Sequence, residues 1–158
     1  MLTIRQDSLG RDVDFVDIGR SCVDPAVGEL VVGLGYPVSS ALVTGKQVGT
    51  ELRKAVLLPP LPFCGPVLSP TEGDAFRDFD PTKHYLIPYA LAKQGKHPRG
   101  ISGAAVWTEV NQEQKIWVPK FEFAGICTSC YKNGTIGQIV KASVVRRFLV
   151  EVFGPNPN

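Results

Sequence analysis

Short apolar stretches separated by prolines and glycines run along most of the chain and predict β-strands rather than helices. The clearest is 29–36, whose apolar run stops at Pro37, as a buried strand should. Stretches 13–18 and 49–58 are further candidates. The prolines at 59, 60 and 62 follow the last of these. Because proline cannot donate to a β-ladder, they mark a turn or an edge.

The second half of the chain continues the strand pattern after one long interruption. Residues 69–83 combine prolines with several acidic side chains, which predicts an exposed acidic loop. Strands are predicted on both sides of this loop, at 63–68, 84–91, 104–110, 115–126 and 134–140, with 104–110 and 115–126 joined around 111–114.

One segment, at the C-terminus, has helical periodicity. Ser143 is a suitable N-cap, and Gly154-Pro155 ends the pattern. Apolar residues recur at helical spacing on one face, at Val144, Val145, Phe148, Leu149 and Val152, with Arg146, Arg147 and Glu151 on the other. The elements together predict an all-β fold, a small antiparallel barrel with one C-terminal α-helix packed outside it.

Length and composition add limits on the class of protein. A chain of 158 residues with 44% hydrophobic residues can bury one core, so we expect one domain. A formal net charge of +2 gives no bias toward nucleic acid. No apolar run approaches the roughly 20 residues of a membrane span, and residues 1–7 lack the pattern of a signal peptide. We therefore expect a soluble, cytoplasmic protein that binds neither nucleic acid nor membrane.

The four cysteines are expected to be free thiols, because a domain of this size does not depend on disulfides. Cys127 and Cys130 form a Cys-x-x-Cys sequence. A structural zinc site needs a second pair of ligands, and a redox pair belongs at the start of a helix in a βαβ unit. Here the sequence follows a predicted strand, so no metal and no cofactor are expected.

The stretch 97–107 contains the candidate nucleophile. Ser102 lies in a Gly-Ile-Ser-Gly sequence ahead of an apolar, strand-like run. Gly100 can adopt positive φ, so that its N–H and that of Ser102 point toward one spot where an oxyanion could sit. Gly103 leaves the space in front of the serine open. The same pattern is typical of a plain turn, and Ala104 excludes the nucleophile elbow of α/β-hydrolases, which needs glycine there.

Five motifs, in this order, resemble the C-terminal part of a trypsin-like (chymotrypsin-fold) serine peptidase of bacterial type. Residues 12–16 resemble the stretch that carries the triad aspartate, and 35–37, Gly-Tyr-Pro, resemble the opening of the second barrel. Gly100-Ile101-Ser102-Gly103 resembles the Gly-Asp-Ser-Gly nucleophile loop, with isoleucine in place of aspartate. Residues 123–126, Phe-Ala-Gly-Ile, resemble the Leu-x-Gly-Ile strand that follows the nucleophile loop in the family. The C-terminal helix lies where the family also has one.

The resemblance implies roles for individual residues. Ser102 is the nucleophile, the amides of Gly100 and Ser102 form the oxyanion hole, and Asp12 orients a histidine, with Asp14 and Asp17 as alternative carboxylates. The segment Thr128, Ser129 and Cys130 is the edge that pairs with substrate backbone, and Lys96 falls at the specificity pocket. The implied substrate is a peptide or protein, cleaved by serine endopeptidase chemistry.

The triad histidine is the missing member. The family places it in the first barrel, well before the aspartate, and eleven residues precede Asp12 here. His84 and His97 are predicted to be a strand-start residue and a surface residue. We therefore expect 1–28 to be the end of a first barrel and its connection, 29–142 the second barrel, and 143–153 the helix. The chain alone is expected to be inactive.

An alternative from another class stays open: a catalytically dead barrel that binds protein, in which Ser102 is a structural turn. In either case the face that meets the first barrel in the family would be exposed. The sequence therefore predicts a partner for that face, which is either the missing first barrel or a second copy of the chain.

Overall fold

The structure, a computed structural model, describes residues 21–37, 42–48, 51–57, 59–90, 98–110 and 120–154; in 43–48 and 51–57 it describes the backbone alone. Within these ranges the elements are, in chain order, β1 Leu30–Gly35, β2 Leu42–Val48, β3 Glu51–Leu57, β4 Leu61–Pro66, β5 His84–Pro88, β6 Ala105–Val110, β7 Lys120–Tyr131, β8 Ile136–Lys141 and α1 Ala142–Phe153. The predicted all-β architecture with a closing helix is confirmed. The predicted strand at 13–18 and the connection at 111–114 lie outside the described residues.

Six strands form one antiparallel sheet in the order β4-β1-β6-β7-β8-β5, and β2 pairs with β3 as a separate hairpin. The two edge strands of the sheet approach each other. Just past β4, the Leu68 N–H donates to the Leu86 carbonyl in β5 at 2.8 Å. A Cβ on Gly65 would lie 2.7 Å from Pro88 Cγ, so glycine permits this approach. The sheet is therefore curved into a half-barrel.

The core lies on the concave face of this sheet, and β1 shows how the sequence selects that face. Val31 and Gly33 are buried, whereas Leu30 and Leu34 on alternate positions are exposed. The core comprises Val31, Phe63, Val67, Tyr85, Ile87, Tyr89, Ile101, Val106, Ala124, Cys127 and Ile139. Burying each large apolar side chain among them contributes about 1.5–3 kcal/mol.

Two strands differ from the sequence prediction. β4 begins at Leu61 and includes Pro62, two residues before the predicted strand at 63–68 and within the prolines that were expected to mark a turn or an edge. It is an edge strand, where a residue without an N–H is tolerated. β2 has no predicted counterpart, and it forms by pairing along its whole length with β3.

The C-terminal helix begins one residue earlier than its predicted cap. Ser143 lies inside α1, and Asp24 serves the helix end instead: the Ser143 N–H donates to Asp24 Oδ1 at 3.0 Å. A carboxylate is favourable at this positive end of the helix. Gly154, with φ of 81°, ends α1 as predicted.

The apolar face of α1 is only partly covered. Phe148 was expected to pack inward and is 59% exposed, and Val152 is exposed as well. Within the described part of the chain, no helix combines the length and the apolar character that crossing a membrane requires.

Candidate functional site

The Ser102 loop, residues 98–104, consists of two successive turns. The Ile101 N–H donates to the Pro98 carbonyl, and the Ala104 N–H donates to the Ile101 carbonyl, each at 3.0 Å. Gly100 and Gly103 have φ of 99° and 91°, a region that favours glycine. Ile101 is buried among core residues and so fixes the loop to the barrel.

The isoleucine at position 101 therefore has a structural reason. A Cβ on Gly35 would lie 2.8 Å from Ile101 Cγ2, so the side chain fills space that a glycine of β1 leaves open. An apolar side chain is favoured at such a site, because a buried aspartate there would need an ionic or hydrogen-bonded partner.

Backbone hydrogen bonds connect the loop to β7. The Gly103 N–H donates to the Cys127 carbonyl at 2.8 Å, and the Cys127 N–H donates to the Ala104 carbonyl at 2.9 Å. Ser102 itself is exposed, and its Oγ donates to the Thr128 carbonyl at 2.8 Å. The candidate nucleophile thus lies at the surface, held against the strand that the resemblance assigns to substrate binding.

The backbone amides of this loop fall into two groups. Those of Ile101, Gly103 and Ala104 are used in turns or in the contact with β7. Those of Gly100 and Ser102 donate to no other residue in the described ranges. A Cβ on Gly103 would meet nothing within 4 Å, so the space beside the serine is open. Two free donors next to an open surface are the elements from which an oxyanion hole is built.

A β-bulge lies in β7 directly beside Ser102. Cys127 pairs with Ile139 and Ser129 pairs with Gln138, so Thr128 has no opposite residue in β8. Thr128 is exposed, and its Oγ1 donates to the Gln138 carbonyl at 3.4 Å. Bulges re-aim side chains and interrupt pairing, and they are enriched next to active sites. The substrate-binding segment predicted at residues 128–130 is therefore an irregular stretch of strand, with Ser129 and Cys130 half-buried.

The remaining predicted site residues, Asp12 and Lys96, lie outside the described residues, as do the alternative carboxylates Asp14 and Asp17 and the predicted surface residue His97. His84 is described. Its Nδ1 accepts from the Asp80 N–H at 3.2 Å, its ring lies 6.3 Å from that of Phe79, and burial lowers its pKa. These contacts hold the imidazole in the preceding loop. Within the described ranges, no imidazole is hydrogen-bonded to Ser102.

Three features of the barrel interior were missed from the sequence. Gln138 is buried and accepts a short hydrogen bond from the Tyr131 hydroxyl. The Tyr89 hydroxyl is buried and has no hydrogen-bond partner in the described structure. Cys127 and Cys130 point to the same side of β7, which the bulge causes and residue spacing does not reveal.

A second concave region lies away from the Ser102 loop. It is a cleft of about 450 Å³ between residues 22–24 and α1, and Asp24, Arg146 and Arg147 are among its lining residues. The Asp24 carboxylate is already bound to Ser143. Nowhere in the described ranges do three or more potential metal-ligating side chains cluster.

Comparison with known proteins adds no relative: no family model, no curated protein and no solved structure matches the chain.

Proposed function

We propose that this chain is the second barrel of a trypsin-like serine peptidase and that Ser102 is its nucleophile. The observation that carries the proposal is that two backbone N–H groups of the Ser102 loop have no acceptor in the described ranges. Ser102 is exposed between glycines at positive φ, and the N–H groups of Gly100 and Ser102 are unbonded within the described ranges. The order of motifs along the sequence gives the proposal its family.

In the proposed reaction Ser102 Oγ attacks the carbonyl carbon of a peptide bond, and the carbonyl oxygen becomes an oxyanion between the two amides. Each such donor lowers the barrier substantially, since removing one reduces kcat by about 10²–10³. The hydroxyl must first turn away from the Thr128 carbonyl. The hydrogen bond it gives up is exposed, and a bond of this kind contributes only about 0.5–1.5 kcal/mol.

The segment Thr128, Ser129 and Cys130 would bind the substrate backbone. An extended peptide adds to an available strand edge through main-chain hydrogen bonds. The pairing of β7 with β6 ends at Ile126, opposite Ala105, so residues 128–130 have no β6 residue beside them, and Thr128 lies exposed beside Ser102. Lys96 would contribute to selection of the substrate side chain.

The base is the decisive further requirement. A serine hydroxyl at neutral pH is a poor nucleophile unless a base accepts its proton. The resemblance assigns that role to a histidine oriented by Asp12. A catalytic triad that lacks one member still accelerates the reaction about 10³–10⁴-fold over water, and an ordinary peptidase assay does not detect so low a rate. We therefore expect no peptidase activity from the 158-residue chain by itself.

Labelling with a fluorophosphonate probe, with and without added free imidazole, tests the proposal. We expect imidazole to raise labelling roughly tenfold or more, because it supplies the base, and peptide mapping to locate the label on Ser102. Ser102→Ala should abolish labelling, whereas the matched control Ser69→Ala should leave it unchanged. No labelling of Ser102 under either condition would contradict the proposal. Imidazole-independent labelling that His97→Ala abolishes would identify His97 as the base.

A catalytically dead barrel that binds protein is the second candidate, and one observation favours it. Leu30 and Leu34 on the outer face of β1, and Tyr36 just after its end, are exposed and form an apolar row that faces water in the described structure. Such a row is typical of an interaction surface. This candidate predicts concentration-dependent association in sedimentation that Leu34→Lys abolishes, together with no labelling of Ser102. Labelling of Ser102 would exclude it.

A further inference from the structure

The bulge at Thr128 places Cys127 and Cys130 on one face of β7. In a regular strand, residues three apart point to opposite faces. Here Cys127 pairs with Ile139 and Cys130 pairs with Gly137, and residues 137 and 139 of β8 share a face. The two cysteines therefore lie side by side on the core side of the sheet. Cys127 is 1% exposed, and Cys130 is half-buried and packs against the same core.

The two thiols are free, and they are not equivalent. The neighbouring Cys130 thiol as acceptor, together with burial, raises the pKa of Cys127. The neighbouring Cys127 thiol as donor lowers the pKa of Cys130. Cys130 is also the more exposed of the two. The pair thus combines a half-buried thiol whose pKa is lowered with a more deeply buried neighbour that holds its proton, which is the division between attacking and resolving thiols.

Tyr89 supplies an independent observation at the same place. Its side chain is 2% exposed, and its hydroxyl has no hydrogen-bond partner in the described structure, which is an unfavourable state for a buried donor. Burial and the neighbouring Cys130 and Cys127 raise the pKa of Tyr89, so the phenol keeps its proton.

We propose that Cys127 and Cys130 are a redox-active dithiol, which a low-molecular-weight disulfide such as glutathione disulfide oxidises to a disulfide within β7. In the first step the Cys130 thiolate attacks one sulfur of the glutathione disulfide. A mixed disulfide forms and one glutathione thiolate leaves. Cys127 then loses its proton, its sulfur attacks that of Cys130, and the second glutathione thiolate leaves. Two protein thiols are oxidised and one disulfide is reduced to two thiols.

Oxidation would act on the Ser102 loop through the residue between the cysteines. Thr128 is the unpaired residue of the bulge, and its carbonyl accepts the Ser102 hydroxyl. A bond that draws the two sulfurs together changes the backbone at Thr128, and with it the position of that carbonyl. The proposal does not rest on peptidase activity, because the redox step involves no group of the Ser102 loop.

The experiment uses the full chain with Cys22→Ala and Cys64→Ala, so that Cys127 and Cys130 are the only cysteines whose oxidation changes the mass. After equilibration in glutathione buffers from reducing to oxidising, we expect the intact mass to fall by two hydrogens at the oxidising end and to recover in dithiothreitol. Adding Cys127→Ser should trap one glutathione on Cys130, and adding Cys130→Ser should leave the chain nearly unmodified. Cys64, exposed and without a partnering thiol in the described structure, is the matched control: in a variant that keeps it but lacks the other three cysteines, it should take one glutathione and never lose two hydrogens.

Two results would overturn the proposal: both thiols staying free in the most oxidising buffer, or Cys130 keeping its glutathione although Cys127 is intact. If Cys127→Ser fails to fold, Cys127→Ala tests the same trapping with an apolar side chain at the buried position. Ser102→Ala should leave the mass change unaltered. A failed fluorophosphonate test and a failed redox test are therefore separate results.

Discussion

Two loops of the fold differ in how they use their polar groups. In the Asp80 loop, residues 79–84, the Asp80 carboxylate accepts from the Thr82 N–H at 2.9 Å and from Thr82 Oγ1 at 2.6 Å, and it pairs with Lys83 at 3.0 Å. The hydrogen bonds from Thr82 and Lys83 hold the pKa of Asp80 well below its usual range. Its N–H donates to His84 Nδ1, and its carbonyl accepts the N–H groups of Lys83 and His84.

The Ser102 loop closes with two turn hydrogen bonds and leaves other groups at the surface. Its serine hydroxyl donates to a neighbouring strand, and two of its amides have no partner in the described ranges. Every backbone N–H of the Asp80 loop has an acceptor in the described structure. A loop with spare donors beside open space is the one that can bind a substrate, and this difference supports the choice of Ser102 over the acidic loop as the site.

The largest expected effect is a loss of stability from a substitution that disturbs the Asp80 loop. A Cβ on Gly73 would lie 2.2 Å from Phe79 Cδ1, so Gly73→Ala forces the Phe79 ring out of its position. Overpacking of this kind destabilises by about 3 kcal/mol at the upper end of its usual range. Urea denaturation measures the loss in free energy of unfolding.

Gly103→Ala is the matched change in the Ser102 loop. The added methyl group meets nothing within 4 Å, so the expected loss is the backbone strain of alanine at positive φ alone, about 1 kcal/mol. Equal losses of unfolding free energy in the two variants would contradict the inference that Gly73 makes room for the Phe79 ring whereas Gly103 is needed only for its positive φ.

The second prediction concerns pH and again the Asp80 loop. Burial lowers the pKa of His84, and its Nδ1 accepts a hydrogen bond that protonation would remove. The unfolded chain therefore binds this proton first, near pH 6.5, and stability falls as pH decreases below that value. Asp80 stays ionised throughout this window because its pKa is lowered.

Thermal unfolding of the wild-type chain and of His84→Asn at pH 7.5 and 5.5 measures this dependence. Asparagine retains an acceptor for the Asp80 N–H and does not titrate, and His97 is present in both proteins. The wild-type Tm should fall more than the variant Tm between the two pH values. Equal falls would remove His84 as the source.

Much of the strand pattern could be predicted, because alternation and proline or glycine punctuation reflect which face of a strand is buried. β1, with Val31 inside and Leu30 outside, is the clearest case. β2 was missed because its sequence, with Gly45 and Lys46, has little strand character and its pairing with β3 forms it. The cap of α1 was misassigned because Asp24 lies 119 residues before Ser143.

For the site, the glycines drew attention to the Ser102 loop, in which Ser102 is exposed; its role as nucleophile stays a prediction. The bulge at Thr128 could not be predicted, since an extra residue in a ladder depends on the register with β8. For the same reason the sequence did not reveal that the two cysteines share one face of β7. The roles of Asp12 and Lys96 stay predictions.

The smallest expected effect is the loss of stability in Ser102→Ala, which tests whether the Ser102 hydroxyl has a structural role. Ser102→Ala removes one exposed hydrogen bond, and the Thr128 carbonyl that loses it can bond water instead, so we expect a loss of about 0.5 kcal/mol. Thr108→Val is the matched control: its hydroxyl also donates to a carbonyl, that of Leu30 at 2.9 Å, but the side chain is buried. Removing that bond should cost about 1 kcal/mol or more, measured by the same urea titration.

A small loss for Ser102→Ala means that the loop holds its shape without the hydroxyl, which leaves that group available for chemistry. A loss as large as that of Thr108→Val would make Ser102 a structural residue and would favour the binding barrel over the peptidase.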